Sequence, residues 1–387
     1  MIKEQLGIYI HIPFCARKCN YCDFLSCRAD YDMMKKYIES LIKEMRIESE
    51  YVNKKELKTI FIGGGTPSIL PVELMESILQ SLNEYCDMSS CIEFSMECNP
   101  GTLNADKLDM YRQYGVNRLS IGLQSANDKE LKMLGRIHTF EDFLQSYYLA
   151  REKHYNNINI DLMSALPYQT RETYLDTLKK VVELNPEHIS AYSLIIEDGT
   201  PMKKMVEIAK ENPLPDETAE RDMYYDTKRV LHENGYERYE ISNYSKSGRE
   251  CIHNMSYWRR TSYIGLGIGA SSYIEGTRYN NISDFQTYFD ILQKADKRDD
   301  ITRLHENVES LTKQDMMEEY MFLGLRMMEG VSVRTFYEEF GKTIDDVYGD
   351  ILQKHIDEKL IERSDDRIRL TELGIDVSNY VFSDYIF

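Results

Sequence analysis

Tyr9-Ile-His-Ile-Pro-Phe-Cys15-Ala-Arg-Lys-Cys19-Asn-Tyr21-Cys22-Asp-Phe24 sets three cysteines at C-x3-C-x2-C behind a short apolar run, Ile8 to Phe14, that predicts a buried strand. Thiolates are the ligands of iron–sulfur clusters, and so short a loop wraps a cluster without closing a long stretch of chain. Three thiolates on four irons leave one iron open to a further ligand. Zinc sites usually pair two C-x2-C halves, or one such half with histidines, and no second half lies nearby. Cys15, Cys19 and Cys22 are therefore the expected ligands of a 4Fe-4S cluster.

Outward from that loop, the chain of 387 residues has length for one large domain and a smaller one. Its 42% hydrophobic and 29% charged residues are ordinary for a soluble globular protein. No uninterrupted apolar stretch reaches membrane-spanning length, and Met1-Ile-Lys-Glu-Gln-Leu-Gly7 lacks the layout of a signal peptide. The expected compartment is the cytoplasm, where eight cysteines stay reduced; any membrane association would be transient and through a partner. A net charge of −18 argues against nucleic acid, whose phosphates are gripped mainly by Lys and Arg.

Beyond a helix predicted over Tyr31 to Glu50, short apolar runs alternate with helical spacing. Strands are expected at Leu57–Ile62, Ile92–Glu97, Arg118–Gly122, Ile158–Leu162 and His188–Ile195, with helices between them. With the opening run this makes six βα units, an α/β pattern with a parallel sheet. Six are too few for a closed eight-stranded barrel, and periodicity alone does not separate a partial barrel from an open doubly wound sheet. A helix is expected over Thr218 to Asn234 and a strand over Tyr236 to Ile241. The segment Ser245 to Asn281, rich in Gly, Ser, Asn and Tyr, reads as irregular. Helices at Asp284–Ala295, Thr312–Met328 and Ser332–Phe340, then Ile351–Leu360 and a strand pair about Asp365-Asp366, suggest a small α-rich, winged-helix-like module. The expected division is a core over 1–240, a connecting segment over 241–283 and a C-terminal domain over 284–387.

With its flanks, the cysteine loop resembles the radical S-adenosylmethionine (SAM) signature. Y-I-H-I-P-F-C…K-C-x-Y-C-D-F is similar to the branch holding HemW-type haem chaperones and oxygen-independent coproporphyrinogen III dehydrogenases. The resemblance runs from Tyr9 through the C-terminal module and implies a partial (βα)6 TIM-like barrel, open on one side. Gly63-Gly64-Gly65-Thr66-Pro67 follows a predicted strand and lacks the Lys-Ser/Thr of a phosphate loop; beside the cysteines it resembles the loop that grips the SAM amino group. Glu97, Gln124, Arg136 and Asp161, close to later strand ends, match positions that contact SAM in the relatives, and Tyr9 and Tyr21 flank the cluster. Arg136 suits the SAM carboxylate; Glu97 and Asp161 suit ribose hydroxyls or the ammonium. Ala165 and Tyr168 stand where the relatives commonly carry glycine. The family's chemistry has SAM on the open iron and one electron passed from a reduced cluster to the sulfonium, giving a radical that takes a hydrogen atom; it implies an external electron donor.

Cys251-Ile-His253-Asn254-Met-Ser-Tyr257-Trp258 resembles the H-N-x-x-Y-W motif of HemW-type haem chaperones. An exposed His253 in an irregular loop is a reasonable ligand for haem iron, and Tyr257 with Trp258, the only tryptophan, offers aromatic surface to a porphyrin face. Two features depart from the dehydrogenase: only fourteen residues precede Cys15, and Phe24 stands where that enzyme has a fourth cysteine. Cys27 is expected to be structural. The reading is a haem chaperone that receives haem and passes it to client proteins, with homodimerisation possible. The alternatives are oxidative decarboxylation of coproporphyrinogen III and radical-driven haem modification.

Overall fold

The computed structural model describes residues 3–386. Residues 1, 2 and 387, which the expected domain ranges include, lie outside the described residues. The opening strand β1 (Gln5–Ile12) buries Leu6, Ile8, Ile10 and Ile12 completely on one face, and Gly7 and His11 are buried on the other. Such two-faced burial is what a parallel strand beneath crossover helices requires. Beside it in chain order, all parallel, lie β2 (Glu56–Gly64), β3 (Glu93–Cys98), β4 (Arg118–Gln124), β5 (Ile158–Ser164) and β6 (His188–Ser193). The crossovers are α1 (Tyr31–Val52), α2 (Val72–Tyr85), α3 (Ala105–Gln113), the pair α4 (Asp128–Met133) and α5 (Phe140–Glu152), and α6 (Arg171–Glu183). Their ends are written locally: Asp30 caps α1, and Thr139 and Thr170 open α5 and α6 with reciprocal capping boxes. On α1, Met34, Tyr37, Ile38, Leu41 and Met45 form the buried stripe. The six expected units and the partial barrel are thus present.

The sheet does not stop at six strands. After α7 (Pro201–Ile208) and α8 (Glu217–Glu233), β7 (Glu237–Glu240) and β8 (Asn243–Ser245) extend it antiparallel beyond β6. The segment expected to be irregular is ordered: it holds α9 (Ile252–Trp258), β9 (Tyr263–Leu266), β10 (Ser271–Ile274) and β11 (Thr277–Asn281). Of these, β9 runs parallel to β1, and β10, β11 and later β12 (His305–Ser310) add antiparallel. Among the described residues the sheet holds twelve strands, with β12 and β7 as its ends. The short strands escaped the pattern because they run to only four or five residues between glycine turns.

The boundary near 284 also shifts. Tyr288, Phe289 and Leu292 of α10 (Phe285–Lys294), with Ile301 of α11 (Arg298–Ile301) and Leu304, belong to the same core as the barrel. A separate core gathers Met317 and Met321 of α12 (Lys313–Gly324), Val331 of β13 (Val331–Ser332), Phe336 and Phe340 of α13 (Val333–Phe340), and Tyr348 and Leu352 of α14 (Ile344–Asp357). It closes with the hairpin β14 (Ile361–Arg363) and β15 (Arg367–Leu370), then α15 (Glu372–Asp376) and α16 (Ser378–Ser383). The winged-helix-like layout of helices and hairpin stands.

This module touches both ends of the open sheet. At one end Met327 bridges Glu240, and the Met328 N–H donates to the Tyr239 carbonyl of β7 (3.0 Å). Towards the other, one strand in from β12, Glu319 accepts from Arg278 of β11 through two bonds (2.6 and 2.9 Å) and faces Arg260 (3.6 Å). Beyond β11, β12 leaves Glu306, Asn307, Val308, Glu309 and Ser310 exposed, with Asn307 at φ 51°.

Candidate functional site

The cysteine loop is tied at its root and its middle. Cys15 N–H donates to the Cys27 carbonyl (2.9 Å) and Cys27 N–H to that of Pro13 (2.8 Å). Asn20 hangs on the end of α4, its N–H on the Leu134 carbonyl (2.9 Å) and its amide on that of Met133 (2.8 Å). Cys15, Cys19 and Cys22 are half-buried free thiols. Burial pushes Cys22 up to about 11, with smaller contributions from Cys19 and Cys15. Among the described residues no three His, Cys, Asp or Glu side chains gather around a single metal position. Three thiols on one loop, with Cys19 and Cys15 near enough to act on Cys22, are a donor set of the type that holds an iron–sulfur cluster. Cys27 ties the root of the loop through its backbone N–H and carbonyl.

The glycine run packs against the same root. Gly65 N–H donates to the Ile12 carbonyl (2.9 Å) and Thr66 N–H to that of Phe14 (2.8 Å). At Gly64, φ is +108° and a Cβ would lie 2.4 Å from the His11 ring. At Gly65 a Cβ would meet the Phe14 and Ile12 carbonyl oxygens at 2.7 and 2.8 Å. No side chain fits either position. Thr66 Oγ1 lies 3.5 Å from Cys15 Sγ and accepts from the Asn99 amide (2.9 Å).

Asn99 in turn accepts from Arg136 Nη2 (2.9 Å), which also donates to the Gly122 carbonyl (2.6 Å) while Nη1 donates to Cys19 Sγ (3.6 Å). Arg136 Nε is buried and without a partner. A buried donor left over in a fixed guanidinium beside the cluster loop is a fit for a carboxylate. Glu97 accepts from Gly64 N–H (3.0 Å), and burial, then Asp161, lifts its carboxyl to about 7. Burial also raises Asp161, against the pull of Asn159, which donates at 2.7 Å, and of Arg118. A cationic partner would stabilise the ionised form of both acids. Gln124 sits at φ +74° and accepts from Tyr192 (3.2 Å). Tyr9 bonds His11 Nδ1 (3.0 Å), and Tyr21 packs with Leu134, Met163, Leu166 and Met202. Asp161 is mid-strand in β5, opposite Gly122, rather than at the strand end. Asn99 and Tyr192 are site residues the sequence reading did not single out. Asn99 stands two places after Glu97, where its polar side chain was the available signal.

The expectation of an exposed His253 fails. His253 is 1% exposed, on the helix α9 rather than in a loop. Nδ1 bonds Thr59 Oγ1 (2.8 Å), Nε2 bonds the Tyr257 hydroxyl (2.8 Å), and the ring stacks on Phe61 with centroids 5.3 Å apart. Burial holds its imidazole down at about 3. The physical reason is the anchoring of α9: Glu93, opening β3, accepts from Ile252 N–H (2.8 Å), His253 N–H (3.0 Å) and Cys251 Sγ (3.4 Å). Cys251 is fully buried there and faces no opening. Tyr257 and Trp258 instead line a cavity of about 510 Å³, with Tyr9, Phe24, Leu25 and Leu323. Phe24 is 65% exposed at its mouth, and Trp258 Nε1 is a buried donor without a partner. Glu97 and Gly64 line the same cavity, so it adjoins the SAM set.

Residues 9–181 match the model of the radical SAM superfamily, and 311–377 that of the HemN C-terminal domain. The chain is 37% identical to heme chaperone HemW of Bacillus subtilis, over 98% of each chain. It is 40% identical to that of Escherichia coli, over 70% of this chain and 71% of the other. The chain belongs to the HemW family of radical SAM proteins. Among solved structures, coproporphyrinogen III oxidase (HemN) of Escherichia coli superposes with a TM-score of 0.86 at 22% identity, covering 99% of this chain and 90% of that one. That likeness establishes the shared architecture. Membership of the superfamily implies a 4Fe-4S cluster and SAM. No helix among the described residues is long and apolar enough to cross a membrane.

Proposed function

We propose that this HemW-family chain binds haem and delivers it to haem-requiring client proteins, on a scaffold that carries a 4Fe-4S cluster and SAM. The observation that carries the reading is an aromatic cavity of about 510 Å³, walled by Tyr257 and Trp258, in a chain matching a heme chaperone over 98% of its length. The volume is that of a small-molecule site. Cys15, Cys19 and Cys22 hold the cluster; Tyr9, Tyr21, Gly64, Gly65, Thr66, Glu97, Gln124, Arg136 and Asp161 hold SAM. Bound together, cluster and SAM supply one-electron reductive chemistry, fed by an external electron donor. Arg136 and Asn99 fix the carboxylate end, Glu97 and Asp161 the cationic and hydroxyl groups, and Phe24 and Leu25 shield the opening. The proposed compartment is the cytoplasm, whose reducing poise keeps the eight free cysteines available.

The test is anaerobic reconstitution with iron and sulfide, haem titration, and transfer to an apo-haem protein. A saturable Soret band, haem transfer and no porphyrinogen turnover by reduced, SAM-loaded protein are the expected results. Robust protoporphyrinogen formation would replace the chaperone reading with the dehydrogenase. Replacing Cys15, Cys19 and Cys22 by alanine removes the cluster's visible absorption and leaves the haem cavity intact.

A further inference from the structure

Resting on the haem reading above, we infer that the haem-iron ligand of this chain is the phenolate oxygen of Tyr257, with His253 as the positioning residue behind it. Tyr257 lines the aromatic cavity, whereas His253 does not. The histidine is one helical turn behind, buried, with both ring nitrogens bonded and its ring stacked on Phe61. To reach iron it would have to break both bonds and exchange places with Tyr257, while its backbone stays fixed to Glu93. The tyrosine needs no such exchange. Its ring is held by the edge of His253 (4.9 Å between centroids) and by Tyr263 (4.5 Å). Phenolate is an established ligand type for ferric haem.

The pair also accounts for the proton. In the tautomer with Nε2–H donated to the Tyr257 oxygen, Nδ1 accepts from the Thr59 hydroxyl, which can donate as well as accept. On ligation the phenol O–H bond breaks and an O–Fe bond forms with both electrons from oxygen; the iron stays ferric. The phenol proton leaves through the cavity, on the water or hydroxide that the phenolate displaces from hemin. Nε2–H stays donated to the phenolate, the imidazole stays neutral, and no buried charge is created on the ring.

The experiment uses the full chain titrated with hemin and followed by absorbance, EPR and resonance Raman. Wild-type protein is expected to show iron–phenolate vibrations, a reading that needs no substitution. Tyr257→Phe is expected to lose those modes and weaken hemin binding tenfold or more. His253→Gln is expected to keep them at shifted frequency, with binding weakened only a few-fold. An imidazole-type spectrum in the wild type, or hemin binding by Tyr257→Phe with unchanged affinity and spectrum, overturns the assignment while leaving haem binding standing. A wild type that gives no Soret change overturns the haem reading itself, and the ligand assignment with it.

Discussion

Ala165 and Tyr168 hold left-handed backbone, at φ 56° and 59°. These are two of the positions that the family resemblance singled out for glycine, and the geometry gives the reason: a Cβ there costs about 1–2 kcal/mol. Ala165 is buried, but Tyr168 is 68% exposed, so Tyr168→Gly gives up little packing. Part of the gain is lost to the looser unfolded chain. Denaturant melts should show a stabilisation of about 0.5–1 kcal/mol. The site acids give a second prediction. Glu97 has its carboxyl raised from 4.5 to about 7, by burial first and Asp161 second. A raised acid binds its proton more tightly when folded, so its contribution to stability is complete below about 4.5 and lost as pH rises through 7. The apo protein should lose stability from pH 5 to 8, and Glu97→Gln, which keeps an acceptor for Gly64, should make that decline shallower in urea midpoints. The types and order of the site residues were legible in the chain; their raised or lowered ionisation was not, because it comes from burial by segments far apart in sequence.

At the scale of the element, α9 shows where sequence reading stops. Seven residues, with a cysteine at the cap position and no side-chain cap of its own, carry no local helix signal. The cap comes from Glu93, about 160 residues earlier, whose carboxylate gathers the first N–H groups of the helix. The motif His253 to Trp258 stood out in the sequence, but the burial of its histidine was not readable there, since only the tertiary position of Glu93, Thr59 and Phe61 sets which ring faces the cavity. Glu93→Ala strands those N–H groups and removes one of the acids that face buried Arg118, leaving Asp161 as a partner. It should destabilise the protein by about 3 kcal/mol, with hydrogen exchange accelerating first at Ile252 and His253. Were exchange there unchanged, Glu93 would not be the anchor.

On the scale of the whole molecule, the six parallel strands were legible because short apolar runs alternate with helices, most of them with a side-chain cap. Of the six flanking strands only β7 was, as the run Tyr236 to Ile241; β8 to β12 are three to six residues each, and β8, β9 and β12 join the sheet by pairings with no local signal. The C-terminal module was visible as helices and a hairpin, while its span across both ends of the sheet was not. That span depends on Glu319, which is buried between Arg278 and Arg260. Glu319→Ala leaves two cations facing each other without it and should cost about 3 kcal/mol. Limited proteolysis should then cut faster near residue 311, between β12 and α12, while barrel fragments stay resistant.

The two rims of the sheet carry a last consequence. At the β7 rim the module's Met327 and Met328 occupy the backbone edge, and at the other Glu306 and Glu309 stand out from β12 beside the kink at Asn307. A blocked border on one side and a bent, anionic one on the other deny a second molecule any template for strand-on-strand growth. Both rims are thus poor places for two copies to pair, which guards a long β-surface against fibril seeding.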